Sequence, residues 1–218
     1  VGGGFYLGFC GGAGLALSVP DGLGLVPLAR ASRSERLPSL NGPVYVTPGP
    51  KTADHALWRG QSSPAMFHVW WPGQFAAPLP RQVSPVALYQ RPAPGMCSSD
   101  QAVDMVDEEA WAGLEQEYGL RLDPAGLAGA PAVVEHRLGQ GRLLLSYLHL
   151  DTPQDPWGAM ALRSLWREVL GENSFREPRA LFPPGPLSQP CCSLESAALA
   201  LWRVGQELGL WRPRHPYM

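Results

Sequence analysis

Long hydrophobic runs, long basic runs and a secretion signal are all absent from this sequence. No uninterrupted apolar stretch reaches about 18 residues, so no segment is predicted to span a membrane. The 17 Lys and Arg against 19 Asp and Glu give a formal net charge of −2. This balance provides no excess of positive charge to bind a phosphate backbone, so we do not expect a nucleic acid as a partner. Because no apolar segment is long enough, we do not expect a membrane as a partner either. The first residues lack the charged, apolar and small regions of a signal peptide.

Cysteine is also scarce, and its spacing excludes two common uses. The four cysteines, Cys10, Cys97, Cys191 and Cys192, have neither the pattern of a disulfide framework nor that of a C-x-x-C metal site. Adjacent cysteines strain a mutual disulfide, and no further ligands cluster near Cys191 and Cys192, whose role stays open. The sequence therefore predicts a cytoplasmic protein without a metal or another cofactor.

What the sequence contains favours one loop-rich globular domain with an appendage. Its 218 residues can bury a sizeable core, 45% of them are apolar, and glycine and proline number 25 and 24. We place the domain at residues 1–172. A proline-rich linker follows at residues 173–193, and a helix with a tail at residues 194–218.

The order of apolar runs indicates both strands and helices. Phe5–Phe9 is short and bounded by glycines, which predicts a strand buried on both faces. Residues 18–94 carry short runs separated by Pro, Gly, Asn and Ser, which predicts a β-rich insertion of strands and turns. The remaining predictions are an amphipathic helix over Gln101–Leu120, two strands around Gly139-Gln140-Gly141, and a helix over Trp157–Leu170.

The most informative segment is Gly8-Phe9-Cys10-Gly11-Gly12, which follows the first predicted strand and precedes residues that can open a helix. A nucleophile on a tight strand-to-helix turn needs small neighbours because its backbone is strained. The helix would aim unpaired N–H groups at the sulfur and favour thiolate, and the N–H of Gly11 is a candidate oxyanion donor. We therefore predict that Cys10 is a nucleophile.

A second segment, His149-Leu150-Asp151, follows the last predicted strand. Alternation along an extended chain puts His149 and Asp151 on one side, where a carboxylate can orient an imidazole and stabilise its charged form. With Cys10 they complete a Cys-His-Asp triad, in which His149 takes the thiol proton and returns it to the leaving group.

Each of these residues also has an ordinary structural interpretation. A cysteine near glycines is more often packed in a core, a histidine at a strand end is more often simply hydrogen-bonded, and Asp151 could cap the following helix. His55, His68, His136 and His215 have no acidic partner at a telling spacing, so we expect them to be surface or core residues.

Two further features could contribute to a substrate pocket. Trp71 could wall a pocket beside the cysteine, although core packing is the commoner role of such aromatic residues. Arg30, Arg33 and Arg36 could hold an anionic substrate, although such runs are usually solvated loops.

The pattern over residues 2–13, Gly-Gly-Gly-Phe-Tyr-Leu-Gly-Phe-Cys-Gly-Gly-Ala, paired with residues 139–151, resembles the class I glutamine amidotransferase-like superfamily. Within it, the chain is most similar to the N-terminal domain of some biotin-protein ligases and to free-standing bacterial proteins of that type. The resemblance covers about Val1–Leu170. It implies a flavodoxin-like α/β fold in which Cys10 is the nucleophile, His149 the base and Asp151 the acidic member, which is usually glutamate.

The chain departs from that pattern at its start. A class I domain normally has three strands with their helices before the elbow, and a Pro-Gly-Gly-like loop that helps to form the oxyanion hole. We expect this part to be encoded upstream of Val1 or to come from a partner subunit. The predicted function is a thiol hydrolase or acyl transferase that acts on a small-molecule amide or related acyl substrate. The alternative is a non-catalytic binding or regulatory domain related to the biotin-protein ligase N-terminal domain.

Overall fold

A computed structural model describes residues 3–152 and 155–171. The predicted linker at 173–193, the predicted helix and tail at 194–218, and both Cys191 and Cys192 lie outside the described residues. The strands are β1 (Phe5–Phe9), β2 (Leu40–Pro48), β3 (Ala65–Trp70), β4 (Val83–Pro92), β5 (Cys97–Ser98), β6 (Gln101–Ala102), β7 (Pro131–Leu138) and β8 (Gly141–Ser146). The α-helices are α1 (Gly11–Leu15), α2 (Trp111–Tyr118) and α3 (Pro156–Leu170), and single-turn 3₁₀ helices cover Ala56–Trp58, Val103–Met105, Glu108–Ala110 and Pro124–Leu127.

The described strands form one eight-stranded sheet in the order β1-β8-β7-β4-β2-β5-β6, and β3 pairs with the other side of β2. β1 and β8 run parallel, and every other pairing between these strands is antiparallel. The protein is therefore mixed α/β with a mostly antiparallel sheet and few helices. This confirms the predicted class at that level.

Apolar side chains cover both faces of the sheet around β8. On one face Leu144 belongs to a core that includes Ala161 and Leu165 of α3. On the other face Leu145 and Tyr147 pack in a core with α1. The alternation along β8 sends successive side chains to opposite faces, so this strand is buried between helices on both sides.

β1 is the strand predicted from the glycine-bounded run, and its limits are confirmed. Its burial differs from the prediction, because only Gly8 of the five residues is fully buried. The reason is its place at the end of the strand order, where it has a neighbour on one side among the described strands. The predicted strands in the insertion, the hairpin of β7 and β8, and α3 are also present.

The helix predicted over Gln101–Leu120 is wrong in its first half. Gln101 and Ala102 pair with Cys97 and Ser98 as a short hairpin, and the Val103 N–H donates to the Met96 carbonyl at 2.9 Å. These backbone bonds hold the segment in extended and 3₁₀ conformation, so the α-helix begins only at Trp111. Tertiary pairing has overridden the helical spacing of the side chains.

Within residues 3–152 and 155–171, no helix has both the length and the apolar character that a membrane crossing requires.

Candidate active site

Cys10 stands on a strained turn between β1 and α1. Its backbone angles are φ 44° and ψ −104°, a conformation that residues with side chains rarely adopt and that costs on the order of 1–3 kcal/mol. The Cys10 N–H donates to the Ser146 carbonyl at 2.9 Å, and the Gly14 N–H donates to the Cys10 carbonyl at 3.0 Å. The predicted strand-to-helix turn is thus present, and it is tied to β8 on one side and to α1 on the other.

Glycine is required next to this turn because α1 crosses closely over β1. A Cβ added at Gly8 would lie 2.8 Å from the Tyr6 ring and 2.9 Å from the backbone of Gly12. The Tyr6 hydroxyl also donates to the Gly12 carbonyl at 2.8 Å, which fixes the crossing. Gly11 begins α1, where the first N–H groups of a helix have no intrahelical acceptors. α1 is only five residues long, and the Cys10 side chain forms no capping hydrogen bond with its first turn.

His149 lies at the same edge of the sheet as Cys10. It follows Ser146, the last residue of β8 and the acceptor of the Cys10 N–H, by three positions. Three Cα–Cα steps span at most about 11 Å. The His149 backbone N–H is held by the His68 carbonyl of β3 at 2.8 Å. The structure therefore brings Cys10 and His149 to the carboxyl ends of two adjacent parallel strands.

The His149 ring has one nitrogen near an acid and the other without a partner. Nδ1 lies 3.5 Å from Oδ1 of Asp151, which is close enough for an ion pair and long for a hydrogen bond. Nε2 is buried and has no hydrogen-bond partner among the described residues, Cys10 included. The His149 side chain is 22% exposed and that of Asp151 60% exposed.

Two buried tyrosine hydroxyls lie within the electrostatic reach of Cys10. Tyr147 is 2% exposed, and its ring centroid is 4.4 Å from that of Phe75. Burial raises the pKa of Tyr147, the guanidinium of Arg30 partly lowers it, and negative charge on Cys10 raises it further. Burial also raises the pKa of Tyr89, with smaller contributions from Tyr147 and Cys10. Neither hydroxyl donates a hydrogen bond to a described group.

Arginine side chains approach the same place from the segment that follows α1. Arg30 lies opposite Phe75 in a β-bridge, and the Ala31 N–H donates to the Gln74 carbonyl at 2.8 Å. The charges of Arg30 and Arg36 both act on the Tyr147 hydroxyl. A cleft of about 430 Å³ is lined by Gly11, Gly14, Leu15, Val19, Asp21 and Arg30.

The three arginines considered in the sequence are therefore separated by the fold. Arg30 and Arg36 lie near Tyr147, and the Arg36 Nε is buried with no described partner. Arg33 is exposed and lines a different depression beside α2.

Trp71 lies on the loop after β3, and its side chain is mostly exposed. The exposed fraction is 67%, the backbone φ is 45°, and the backbone N–H donates to the Leu40 carbonyl at 2.8 Å. Two residues later, Gly73 lies against the hydroxyl end of Tyr147, where a Cβ would overlap the ring. The loop reaches the site, but no described contact joins the Trp71 indole to Cys10, so its role as a pocket wall stays a prediction.

For His55 and His68 the sequence offers no acidic partner at a telling spacing, and the fold supplies one for each from a distant segment. His55 Nε2 lies 3.2 Å from Oε2 of Glu135, and His68 Nδ1 lies 3.2 Å from Oδ2 of Asp155. These partners are 80 and 87 residues apart in the chain, so no local pattern could reveal them.

Asp155, rather than Asp151, caps the following helix. Its Oδ1 accepts the Trp157 N–H at 2.9 Å, and its side chain is 1% exposed. The sequence did hold a signal for this, because an aspartate directly before a proline at the first helical position is a typical start of a helix.

In the described part of the chain, no group of three or more His, Cys, Asp or Glu side chains is arranged to hold a metal ion. No model of a known protein family matches this chain, and no curated protein has a similar sequence. The resemblance to the amidotransferase-like superfamily therefore rests on the two sequence motifs.

Proposed function

We propose that this protein is an amidotransferase-like thiol hydrolase or acyl transferase, with Cys10 as nucleophile, His149 as base and Asp151 as the group that orients the imidazole. One observation carries the proposal. The strained Cys10 turn is hydrogen-bonded to the end of β8, and three residues beyond that bond stands a histidine whose Nε2 is buried and unpartnered. In a triad, Nδ1 faces the acid and Nε2 serves the nucleophile, and the Nδ1 of His149 does face Asp151.

The chemistry proceeds through a thioester. Nε2 of His149 takes the thiol proton while Sγ of Cys10 bonds to the acyl carbon of a small-molecule amide or related substrate. The tetrahedral oxyanion collapses, the C–N bond breaks, and His149 gives the proton to the leaving nitrogen. Water, activated by His149, then attacks the thioester, which releases the acid and restores the thiol. In the transferase reaction another nucleophile takes the place of water.

No hydrogen bond joins Cys10 to His149 Nε2 in this structure. Catalytic hydrogen bonds are often long or poorly aligned without substrate and tighten when it binds. The finer fold assignment, a flavodoxin-like amidotransferase domain, is part of the proposal. It is supported by the parallel pair β1 and β8 with helices on both faces, and by a site at the carboxyl ends of those strands.

Alkylation of the full chain by iodoacetamide, followed by peptide mass spectrometry, tests the proposal. Cys97 is an internal control because it is a free cysteine of similar intermediate exposure. We expect Cys10 to react faster than Cys97, and His149→Ala to slow Cys10 roughly a hundredfold, the lower end of what a general base contributes. Cys97 should be unaffected by that variant.

Equal labelling of Cys10 and Cys97, or labelling of Cys10 that does not depend on His149, would reject the thiol triad. The protein would then fit the alternative of a binding or regulatory domain that keeps the turn without turnover. Cys10→Ser identifies the adduct and corrects for reaction at other positions.

A further inference from the structure

We propose that the hydroxyl of Tyr147 is a hydrogen-bond donor to the acyl oxygen of the substrate, so that it forms an oxyanion hole together with the Gly11 N–H. This inference rests on the proposed function and adds a catalytic residue to it. An oxyanion hole needs donors that are fixed before the reaction and aimed at the place where charge develops. Three features of Tyr147 support this role: its position beside Cys10, the contacts that hold its ring, and the missing acceptor for its hydroxyl proton.

The chain places Tyr147 beside Cys10. The parallel register pairs Phe9 with Ser146, the last residues of β1 and β8, so Cys10 and Tyr147 follow directly after neighbouring strand ends. The side chain of Tyr147 packs in the same core as Ala13 of α1 and Ala16, the C-cap residue of this helix. It is thus on the face of the sheet from which α1 presents the Gly11 N–H.

Packing fixes the position of the hydroxyl. The ring stacks at a tilt of 40° against Phe75, and the backbone of Gly73 lies so close to the hydroxyl end that a Cβ there would overlap Cζ, Cε1 and the oxygen. A ring clamped in this way cannot swing to find another partner. The donor is therefore preorganised, which is the property that makes such groups effective in catalysis.

The proton of the Tyr147 hydroxyl has no acceptor among the described residues. Arg30 interacts with the hydroxyl oxygen by hydrogen bonding, but a guanidinium can only donate. Two buried serine hydroxyls do find acceptors: that of Ser98 donates to the Leu122 carbonyl at 2.6 Å, and that of Ser146 donates to the Leu148 carbonyl at 2.8 Å. A buried donor without an acceptor calls for an explanation. An oxygen of a substrate that is attacked by Cys10 would supply the missing acceptor.

Arg30 strengthens Tyr147 as a donor. Its guanidinium approaches the hydroxyl and lowers the pKa of Tyr147 against the effect of burial, and a more acidic hydroxyl donates a stronger hydrogen bond. Arg30 forms no ion pair with an acidic side chain in the described ranges. Its charge is therefore available to offset the negative charge that develops on the acyl oxygen.

Tyr89 is the matched control because its hydroxyl is also buried and also donates no hydrogen bond to a described group. It differs in two respects. It packs in the core on the α3 side of the sheet rather than the α1 side, and no arginine acts on its hydroxyl. Tyr147→Phe and Tyr89→Phe each remove one oxygen and leave the ring in place.

The experiment compares two probes on the full-length chain. Iodoacetamide alkylates a thiolate by direct displacement of iodide, and no oxyanion forms. 4-Nitrophenyl acetate acylates Cys10 through a tetrahedral oxyanion: the S–C bond forms, the ester C–O bond breaks, and nitrophenolate leaves with its electron pair. Nitrophenolate absorbance gives the acylation rate, Cys10→Ser gives the background, and mass spectrometry locates the acetyl group.

We expect Tyr147→Phe to slow acylation roughly a hundredfold, which is the effect of removing one oxyanion donor. Alkylation of Cys10 should be unchanged and the melting temperature little changed, because the lost hydroxyl donates to no described group and only its interaction with Arg30 is removed. Tyr89→Phe should change neither rate.

Unchanged acylation in Tyr147→Phe would overturn the inference. An equal loss of acylation and alkylation would also overturn it, since Tyr147 would then act on the thiol rather than on the oxyanion. A loss of acylation in Tyr89→Phe but not in Tyr147→Phe would show that Tyr89, rather than Tyr147, is the donor, and would also overturn the inference. If Cys10 of the unmodified chain reacts with either probe no faster than Cys97, the proposed function itself fails and this inference falls with it. By contrast, a Cys10 that reacts faster than Cys97, at a rate that Tyr147→Phe does not change, would overturn only this inference.

Discussion

The two ends of the parallel pair β1 and β8 differ in whether their buried polar groups have partners. At the amino end, ionic side chains are joined to one another. At the carboxyl end, Cys10 is strained, the Tyr147 hydroxyl proton has no described acceptor, and the His149 Nε2 is buried without a described partner. Because both ends belong to the same two strands, the sheet does not cause the difference. We expect the amino end to contribute stability, and under the proposed function the carboxyl end gives up stability to keep polar groups available for a ligand.

Glu135 is the centre of the amino end. It accepts from Arg142 Nη2 at 2.6 Å and from Arg142 Nε at 3.1 Å, and it lies 3.2 Å from His55. Burial acts to raise the pKa of Glu135, but the hydrogen bonds from His55 and Arg142 and the charge of Arg142 outweigh it and bring the pKa to about 2. Arg142 also bonds to Glu168, which pairs with Arg59 at 3.2 Å. Each carboxylate of this network has cationic partners.

The largest expected effect comes from removing Glu135. Glu135→Ala leaves Arg142 and His55 without their shared carboxylate, so we expect the free energy of unfolding to fall by about 3 kcal/mol, the usual cost of breaking a largely buried pair. Urea unfolding measures it. Glu117→Ala, at an exposed position of α2, is the control and should change little. A loss in Glu135→Ala no larger than in the control would break the contrast between the two ends.

The pH dependence of stability isolates the charge of Glu135. Its pKa is lowered on folding from 4.5 to about 2, so its contribution is fully present above pH 4.5 and is lost as the pH falls towards 2. We expect the melting temperature of the natural chain to drop over this window more steeply than that of Glu135→Gln. The difference between the two curves matters, because other carboxylates such as Glu115 also have a lowered pKa. Parallel curves would contradict the assignment.

A smaller effect is expected from crowding the carboxyl end. Gly8→Ala places a Cβ against Tyr6 and the Gly12 backbone, so α1 must shift, at a cost of roughly 1–3 kcal/mol. The shift should also slow alkylation of Cys10. Gly113→Ala is the matched control, because a Cβ there meets nothing within 4 Å and should stabilise α2 by about 0.5–1 kcal/mol. If Gly8→Ala is as harmless as the control, α1 does not cross β1 as closely as described.

The smallest effect concerns the strain at Cys10. Glycine normally destabilises a position relative to alanine, but φ 44° favours glycine. We expect Cys10→Gly to be more stable than Cys10→Ala by about 1 kcal/mol, part of the strain recovered. Cys97 in β5 should show the normal order, with alanine above glycine. The same order at both cysteines would mean that Cys10 is not strained.

Several elements could be predicted from the sequence because their causes are local. The apolar run between glycines gave β1, Gly139-Gln140 gave the turn between β7 and β8, and the glycines around Cys10 gave the strained turn. The helix over Gln101–Leu120 failed in its first half, because the Val103 N–H bonds to Met96 instead of continuing a helix. Side-chain spacing contains no information about such a competing backbone partner.

The sequence indicated the motif residues of the candidate site but not the residues that surround them. Cys10, His149 and Asp151 stand out because each follows a strand in a recognisable pattern. Tyr147 does not, since an aromatic residue in a strand is ordinarily part of the core. His68 and Asp155 were missed because they are joined only across 87 residues.

The amino-acid sequence by itself determined where the backbone must turn tightly and which side chains alternate on β8, since both follow from steric limits on neighbouring residues. Only the tertiary structure decided which carboxylate meets which histidine, and which polar groups are satisfied. It pairs Asp155 with His68 and Glu135 with Arg142, and it leaves the Tyr147 hydroxyl proton without a described acceptor and His149 Nε2 without a described partner. These outcomes depend on contacts between distant segments, and such contacts exist only once the sheet has formed and α1 and α3 have packed on its faces.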